Sequence, residues 1–477
     1  MKMKWCMTGF LLPVLCAGVQ LRAQSVQTLV CFNGTNGSYP ISALTLGNDG
    51  NFYGTADNGG SNNEGTVFMV TTSGTLTTLV SFAGTNGVDP AGGLTLGKDG
   101  DFYGTTYEGG GNNDGGTVFN LTTNGTLTTL AFFDATNGLY PVSALTLGND
   151  GNFYGTTTQF GNTNLNGGGG FGAVFQVMTN GALNTLATFN GTNGASPQAG
   201  LTLASDGNLY GTTVSGGSGG EIGGAYGTVF KVTTNGILTT LVSFPGTNAG
   251  VNGTVPVGGL TLGNDGNLYG TTSSGGSNND GTVFMMTTNG ALTTLIYFDG
   301  TNGANPETAL TLGNDGNFYG TTSSGGNTNF VFPNGMGTLF KVTTNGILTT
   351  LIAFNGANGS HPVGALTLGN DGNFYGTTQW GGNTNLNGGS GYGTVFRLSL
   401  LPVIPPTLTL QFWEGYPLLS MFGTLGDTYT VEYTTNLAVP NWTPMLIVPN
   451  LSISPFQMID PAGVGQPMRF YRAVQSQ

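Results

Sequence analysis

The carboxylates this sequence repeats most regularly are Asp49, Asp99, Asp150, Asp206, Asp265, Asp315 and Asp371. Two acids facing each other across a cleft could hydrolyse a glycoside. These seven, however, share one local context: Asp-Gly, then Asn or Asp, an aromatic residue or Leu, and Tyr-Gly-Thr. A residue that returns in the same turn in every copy is explained by turn chemistry, because Asp and Gly suit tight reversals. The remaining loop acids, Asp57, Glu64, Glu108, Asp114, Glu221 and Asp280, are the candidates for carboxylate catalysis.

Other chemistries find few residues. The chain holds one His, His361, in a Ser-His-Pro loop. A serine- or cysteine-based triad would need it as base. No nucleophile motif accompanies it, and an exposed loop histidine is the expectation. Cys6 and Cys16 lie in the N-terminal segment, leaving Cys31 alone beyond it. One His and one Cys cannot build a transition-metal centre. No cofactor is expected. Asn-Asn-acid-Gly occurs at residues 62–65, 112–115 and 278–281. Such oxygen-rich loops could take Ca2+, although Asx-turns account for them equally well.

Aromatic residues gather in the long loops: Phe160, Phe171, Tyr226, Phe330, Phe332, Trp380 and Tyr392. Beside Asn and Gly they suit stacking on sugar rings or gripping a peptide. These seven are the candidate ligand-binding residues. The plainer reading is that they pack their loops onto the scaffold.

The elements that position these residues form a repeat of about fifty residues, present seven times. Each copy holds four strand-like runs, a to d, at residues 43–46, 51–55, 66–71 and 76–82 in the first. They are rich in Leu, Val, Phe, Tyr and Thr, which suit a pleated surface. The a–b and c–d links are Asp-Gly or Asn-Gly hairpins of nearly constant length. The d–a link is mostly Gly-Thr-Asn-Gly-x-x-Pro. The b–c link is short at 57–64 and 273–280 but long at 158–171, 214–226, 323–336 and 379–392. In an up-and-down sheet alternate links share an end, so one face is uniform and the other variable. Function usually resides on the variable side.

Counting strands predicts closure. A d-type run at residues 28–32 precedes the first a run, and the seventh a-b-c set has no d after it. The early run should complete the last sheet. The expected fold is all-β: a seven-bladed β-propeller of four-stranded antiparallel blades closed by an N-terminal strand, followed by a small β-sandwich. The strands should be apolar on both sides, as blades press against neighbours and as the adjacent pairs Phe52-Tyr53 and Val67-Phe68 suggest, and the Gly of Tyr-Gly-Thr should let strands approach closely. A parallel β-helix would not use tight antiparallel turns or an offset first strand.

The domain expectation is a signal peptide at 1–23, the propeller at 24–400, a Pro-rich linker at 401–406 and the sandwich at 407–477. Lys2 and Lys4 precede an apolar stretch at 10–19, and Leu21-Arg22-Ala23 is a suitable cleavage site. That implies secretion to the periplasm, cell surface or medium. No later segment is long and apolar enough to span a membrane. Cys31, within Leu-Val-Cys-Phe, should be a buried, inert thiol. Three of the nine basic residues lie in the first 23, leaving six against 22 acidic residues, a net charge of −16. Nucleic acid is therefore excluded as a partner.

The repeat LTLGNDGNFYGTT…GGSNNDGTVFKVTTNGTLTTLVSF resembles the GloVer-type tandem repeat of the "choice-of-anchor" secreted bacterial proteins, over roughly residues 27–400. The half-motif at 256–269 also looks like blades of other propellers. The tail, with Trp442 and Phe470-Tyr-Arg, resembles small C-terminal sandwich modules of secreted bacterial proteins. The resemblance implies export and surface display, and carries no catalytic residues. The expected function is non-catalytic binding of a glycan or surface protein through the b–c/d–a loop face. The alternatives are a carbohydrate-active hydrolase or lyase using loop carboxylates, and a structural cell-envelope protein.

Overall fold

The computed structural model describes residues 25–111, 114–161, 169–218, 226–244, 252–326, 334–400, 407–413, 416–422, 429–436, 440–449, 455–463 and 469–475. The segments expected to be signal peptide and linker lie outside them. The chain divides into two compact units, Met1–Leu400 and Leu401–Gln477. Among the described residues the secondary structure is β-strand, with a few single 3-10 turns. No helix there is long and apolar enough to cross a membrane.

In the first unit the strands form four-stranded antiparallel sheets of propeller-like repeats, each in the order a-b-c-d. The first comprises Thr45–Leu46, Phe52–Ala56, Thr66–Val70 and Leu76–Ser81. The last departs from this chain order. Its inner three strands are Thr367–Leu368, Phe374–Thr378 and Thr394–Ser399, and its outer strand is Ser25–Cys31 from the N-terminus. That strand carries the same irregularity as the others. Leu79 is skipped where Thr66–Val70 pairs with Leu76–Ser81, and Leu29 is skipped where Ser25–Cys31 pairs with Thr394–Ser399. One extra residue in the outer strand bends each sheet edge alike.

Burial follows the pattern of the runs. Every b strand is buried along its whole length. Each d strand is only partly covered, as expected of a sheet edge. The a strands are shorter than the expected four residues, with only two in the ladder. Their backbone is used otherwise: the carbonyls of Gly92 and Leu94 accept from the Thr55 and Thr45 hydroxyls of the preceding repeat.

Adjacent sheets join by the same contacts each time. Thr45, Thr95, Thr146, Thr202, Thr261 and Thr311 donate to Leu94, Leu145, Leu201, Leu260, Leu310 and Leu366 carbonyls at 2.5–2.6 Å. Thr367 donates to the Leu44 carbonyl at 2.5 Å. Tyr53 lies over Phe102 and Tyr375 over Phe52, with ring centroids 4.1 and 4.0 Å apart. Each apolar cluster of this unit draws on two consecutive sheets, and one joins Tyr375 and Val395 to Phe32, Phe52 and Phe68.

Two expectations need correction. The Gly of Tyr-Gly-Thr makes room for a ring rather than for a neighbouring strand. A Cβ on Gly54 would stand 2.7 Å from Phe68 Cζ and 2.8 Å from Leu44 Cδ2, and Gly54 is the cross-strand partner of Phe68. Cys31 is exposed, not buried. Along an edge strand successive side chains face opposite ways, so the inward ring of Phe32 turns Cys31 outward.

The second unit has two three-stranded sheets. In one, Tyr416–Phe422 lies between Thr407–Trp413 and Phe456–Ile459. In the other, Tyr429–Thr434 lies between Thr443–Val448 and Phe470–Gln475. Leu419 and Met421 of the first share a buried core with Tyr429, Val431 and Val448 of the second. Asp460 accepts from Tyr471 Oη at 2.8 Å and pairs with Arg469.

Candidate functional site

The Asp-Gly end of the sheets is occupied by its own hydrogen bonds. Asp49 accepts from the Asn51 backbone, the Asn51 side chain and Tyr53 Oη at 3.1, 2.7 and 2.9 Å. The tyrosine bond recurs from Tyr103, Tyr154, Tyr210, Tyr269, Tyr319 and Tyr375. Partial burial alone would raise the Asp49 carboxyl, but the Asn51 and Tyr53 bonds outweigh it and hold it below the usual range. Burial, then the bond to Asp49, pushes the Tyr53 phenol up to about 12. These aspartates fasten a turn to a buried strand.

The opposite end is built differently. The residues before proline in the d–a links are Tyr39, Asp89, Tyr140, Ser196, Val255, Asn305 and His361. All seven have positive φ, from 52° to 64°. That region is strained for residues with a Cβ, and persists only where the surroundings over-determine it. Two backbone bonds do so at each position. The N–H donates to a carbonyl at the end of the b–c link of the preceding sheet in the order of contacts, as from Tyr39 to Tyr392 and from Asp89 to Glu64, at 2.8–3.1 Å across the seven. The carbonyl accepts from the residue after the b strand, as Tyr39 does from Asp57 and His361 from Gln379, at 2.9–3.3 Å. The backbone is thus identical seven times while the side chain it presents changes each time.

Those changing side chains bring aromatics and acids together in one arc. The Tyr39 ring is 4.7 Å from Trp380 and 6.3 Å from Tyr392. Tyr107 stacks on Tyr140 at 4.8 Å. All five rings are partly accessible. Between the two groups lie Asp57, Asp89, Glu64 and Glu108. Burial, followed by the charges of Asp57, Glu108 and Glu64, pushes the Asp89 carboxyl up to about 6. Burial also raises Asp57. Like charges that share a poorly solvated place resist ionising together. His361, expected to be exposed, is half-buried; its Nδ1 is unpartnered among the described residues, and burial lowers its pKa. The proline after it and the strained backbone fold it onto the sheet ends.

The aromatics singled out from the sequence have different places. Phe171, Tyr226 and Tyr392 occupy one equivalent position, before the Gly that opens the c strand. Phe171 is buried against Gly191, and Tyr392 lies against Gly34, both in d–a links. Phe160 packs on the cluster of Phe133 and Leu139. Phe330 and Phe332 lie outside the described residues. Trp380 and Tyr392 are the two that join Tyr39. Of the loop acids, Asp57, Glu64 and Glu108 come together, with Glu64 accepting from the Gly84 N–H. Asp280 is elsewhere, beside Asp299, Asp114 belongs to a separate shallow depression, and Glu221 is not described. No three potential ligands group as a cation site among the described residues. Side chains of the Asn-Asn-acid loops are used internally, as by Asn62 to the Phe82 carbonyl and Asn279 from the Gly275 N–H.

Below the arc lies a cavity of about 820 Å3 lined from all seven repeats. The residues after each link proline form one ring in its wall: Ile41, Ala91, Val142, Gln198, Val257, Glu307 and Val363. Tyr107 and Gln379 also reach this cavity. Burial raises the Glu307 carboxyl, although a bond from Ser323 works against it. Sequence reading missed Tyr39, Asp89, Tyr140 and Glu307. They sit in links of constant length, where the signal was side-chain disagreement at the two variable positions flanking an invariant proline.

A family profile described as the Gloeobacter/Verrucomicrobia repeat matches residues 18–221, 158–332 and 223–410. No curated protein matches the chain. Among solved structures, a putative 6-phosphogluconolactonase from Bacteroides uniformis is similar at 15% identity, covering 83% of this chain and 95% of its own, with a TM-score of 0.44. A luciferin-regenerating enzyme aligns at 12% identity over 80% of this chain and 96% of its own, TM-score 0.41. A polysaccharide lyase of family PL25, an ulvan lyase, aligns at 12% identity over 83% of each chain, TM-score 0.35. These likenesses are too distant to bring a substrate or an activity with them.

Proposed function

We propose that this chain, which belongs to the Gloeobacter/Verrucomicrobia repeat family, is an exported seven-bladed propeller that binds a neutral glycan without turning it over. The closed ring is supported by the threonine bonds that lead from repeat to repeat and return from Thr367 to Leu44. It is supported also by the shared strand irregularity at Leu29 and Leu79. Export is supported by the two lysines and the apolar stretch in residues 1–23.

The observation that carries the binding reading is the pair of accessible aromatic groups, Tyr39 with Trp380 and Tyr107 with Tyr140, flanking carboxylates on the variable face. Rings in this setting stack on sugar faces while nearby polar groups fix the hydroxyls. The strong negative charge of the chain favours a neutral glycan over a polyanionic one. A glycan array tests this. Retention of a neutral oligosaccharide, lost in Trp380→Ala and Tyr107→Ala, is the expected result; retention unchanged in both variants overturns the reading.

One observation favours a second reading, a hydrolase or lyase acting on carbohydrate. Asp89, held at about 6 beside Asp57, has the character of a general acid near neutral pH. Turnover of a neutral polysaccharide that disappears in both Asp89→Asn and Asp57→Asn would replace the first reading with this one.

A further inference from the structure

The cavity below the arc has a chemistry of its own. Its ring of seven equivalent side chains contains five apolar residues, one amide and one carboxylate. None of its lining residues is basic. Glu307 is half-buried, and its carboxylate, bonded from Ser323, has no cationic partner among the lining residues. An ionised group in such a place is costly unless it is paired. The apolar members of the ring offer the rest of a ligand a surface to lie on, and the volume falls within the range of small-molecule sites. The field of an acidic protein also concentrates cations at its clefts.

We propose that this cavity binds a small organic cation, with its ammonium group against the Glu307 carboxylate and its apolar body along Ile41, Val142, Val257 and Val363. The site adjoins the glycan arc through Tyr107, which reaches both. It requires neither Trp380 nor the Asp57–Asp89 group.

The test compares two probes with the same body, n-hexylammonium and n-hexanol, by titration calorimetry on the full chain. Hexylammonium should bind about tenfold tighter or better, the scale of a charge-assisted hydrogen bond. Glu307→Gln should remove that preference while leaving hexanol unchanged, and Trp380→Ala should leave both unchanged. Equal affinities for the two probes, or no binding of either, overturns the proposal in the unsubstituted protein, whether or not Glu307→Gln folds. A preference that survives Glu307→Gln overturns it as well.

Discussion

Phe32 gives the most searching test of the architecture. It directly follows the N-terminal strand, is fully buried, and meets Phe68 edge-on with centroids 5.1 Å apart. Phe354 occupies the same place directly after an ordinary outer strand, Leu348–Ala353, is buried to the same degree, and meets Phe396 at 5.4 Å. Fully burying an aromatic side chain removes about 150–250 Å2 from water, worth about 4–6 kcal/mol at about 25 cal/mol per Å2. Alanine retains part of that area, and partial collapse offsets some of the cavity cost. Phe→Ala losses of about 3–5 kcal/mol are therefore expected. Phe32→Ala and Phe354→Ala should agree within about 1 kcal/mol, because the surroundings match; terminal strands that fray cost far less. Guanidinium unfolding followed by near-ultraviolet circular dichroism would compare the midpoints at equal slope. A Phe32→Ala loss below about 1 kcal/mol, beside a full Phe354→Ala loss, would refute the reasoning and show that the N-terminal strand does not complete the last sheet.

Three other outcomes follow from particular contacts. Gly270→Ala should cost about 1–3 kcal/mol by overpacking, since its Cβ would stand 2.6 Å from Phe284 Cζ; thermal unfolding at a fixed scan rate reads this. The phenols of Tyr53, Tyr103, Tyr154 and Tyr375 are pushed up to about 12 by burial and their turn aspartates. An unfolded chain loses those protons near pH 10 and the folded chain keeps them, so stability should fall between about pH 10 and 12. Tyrosinate absorbance and circular dichroism should then change together. For Asp89, raised to about 6, the folded chain holds the proton that the unfolded chain has already lost, so ionisation destabilises the fold as pH rises from about 4 to 6. Asp89→Asn should raise the melting temperature near pH 8 and leave it unchanged near pH 4.

Much of the scaffold was legible because the same physics is written seven times. The Asp-Gly turn, the Tyr-Gly-Thr strand and the Asn-Gly turn each have a local cause that needs no knowledge of neighbours. Cys31 was misjudged because its facing depends on which side of an edge strand packs inward, which is decided by Phe68 in another repeat. Gly54 was credited to strand approach because the ring that fills its space comes from the cross-strand partner. The candidate site was less legible for a related reason. Long loops drew attention to Phe160 and Phe171, yet their rings are spent on packing. The arc instead uses single variable residues on a strained, constant backbone, and residues far apart in the sequence meet there, as Tyr39 meets Trp380. Glu307 was one acid in a series otherwise apolar or amide, visible once that ring was known to face a cavity.

The central claim is that invariant positions build the ring while the variable ends bind. Trp380 is the one tryptophan between residues 24 and 400. In a full-length Trp5→Phe/Trp413→Phe/Trp442→Phe chain its emission therefore reports on the arc alone. Titration with a panel of neutral oligosaccharides should change that emission saturably, with Tyr107→Ala weakening the response and Asp206→Asn, at the turn end, leaving its midpoint unchanged. A panel that leaves Trp380 emission untouched, or a response weakened equally by Asp206→Asn and Tyr107→Ala, would contradict the account.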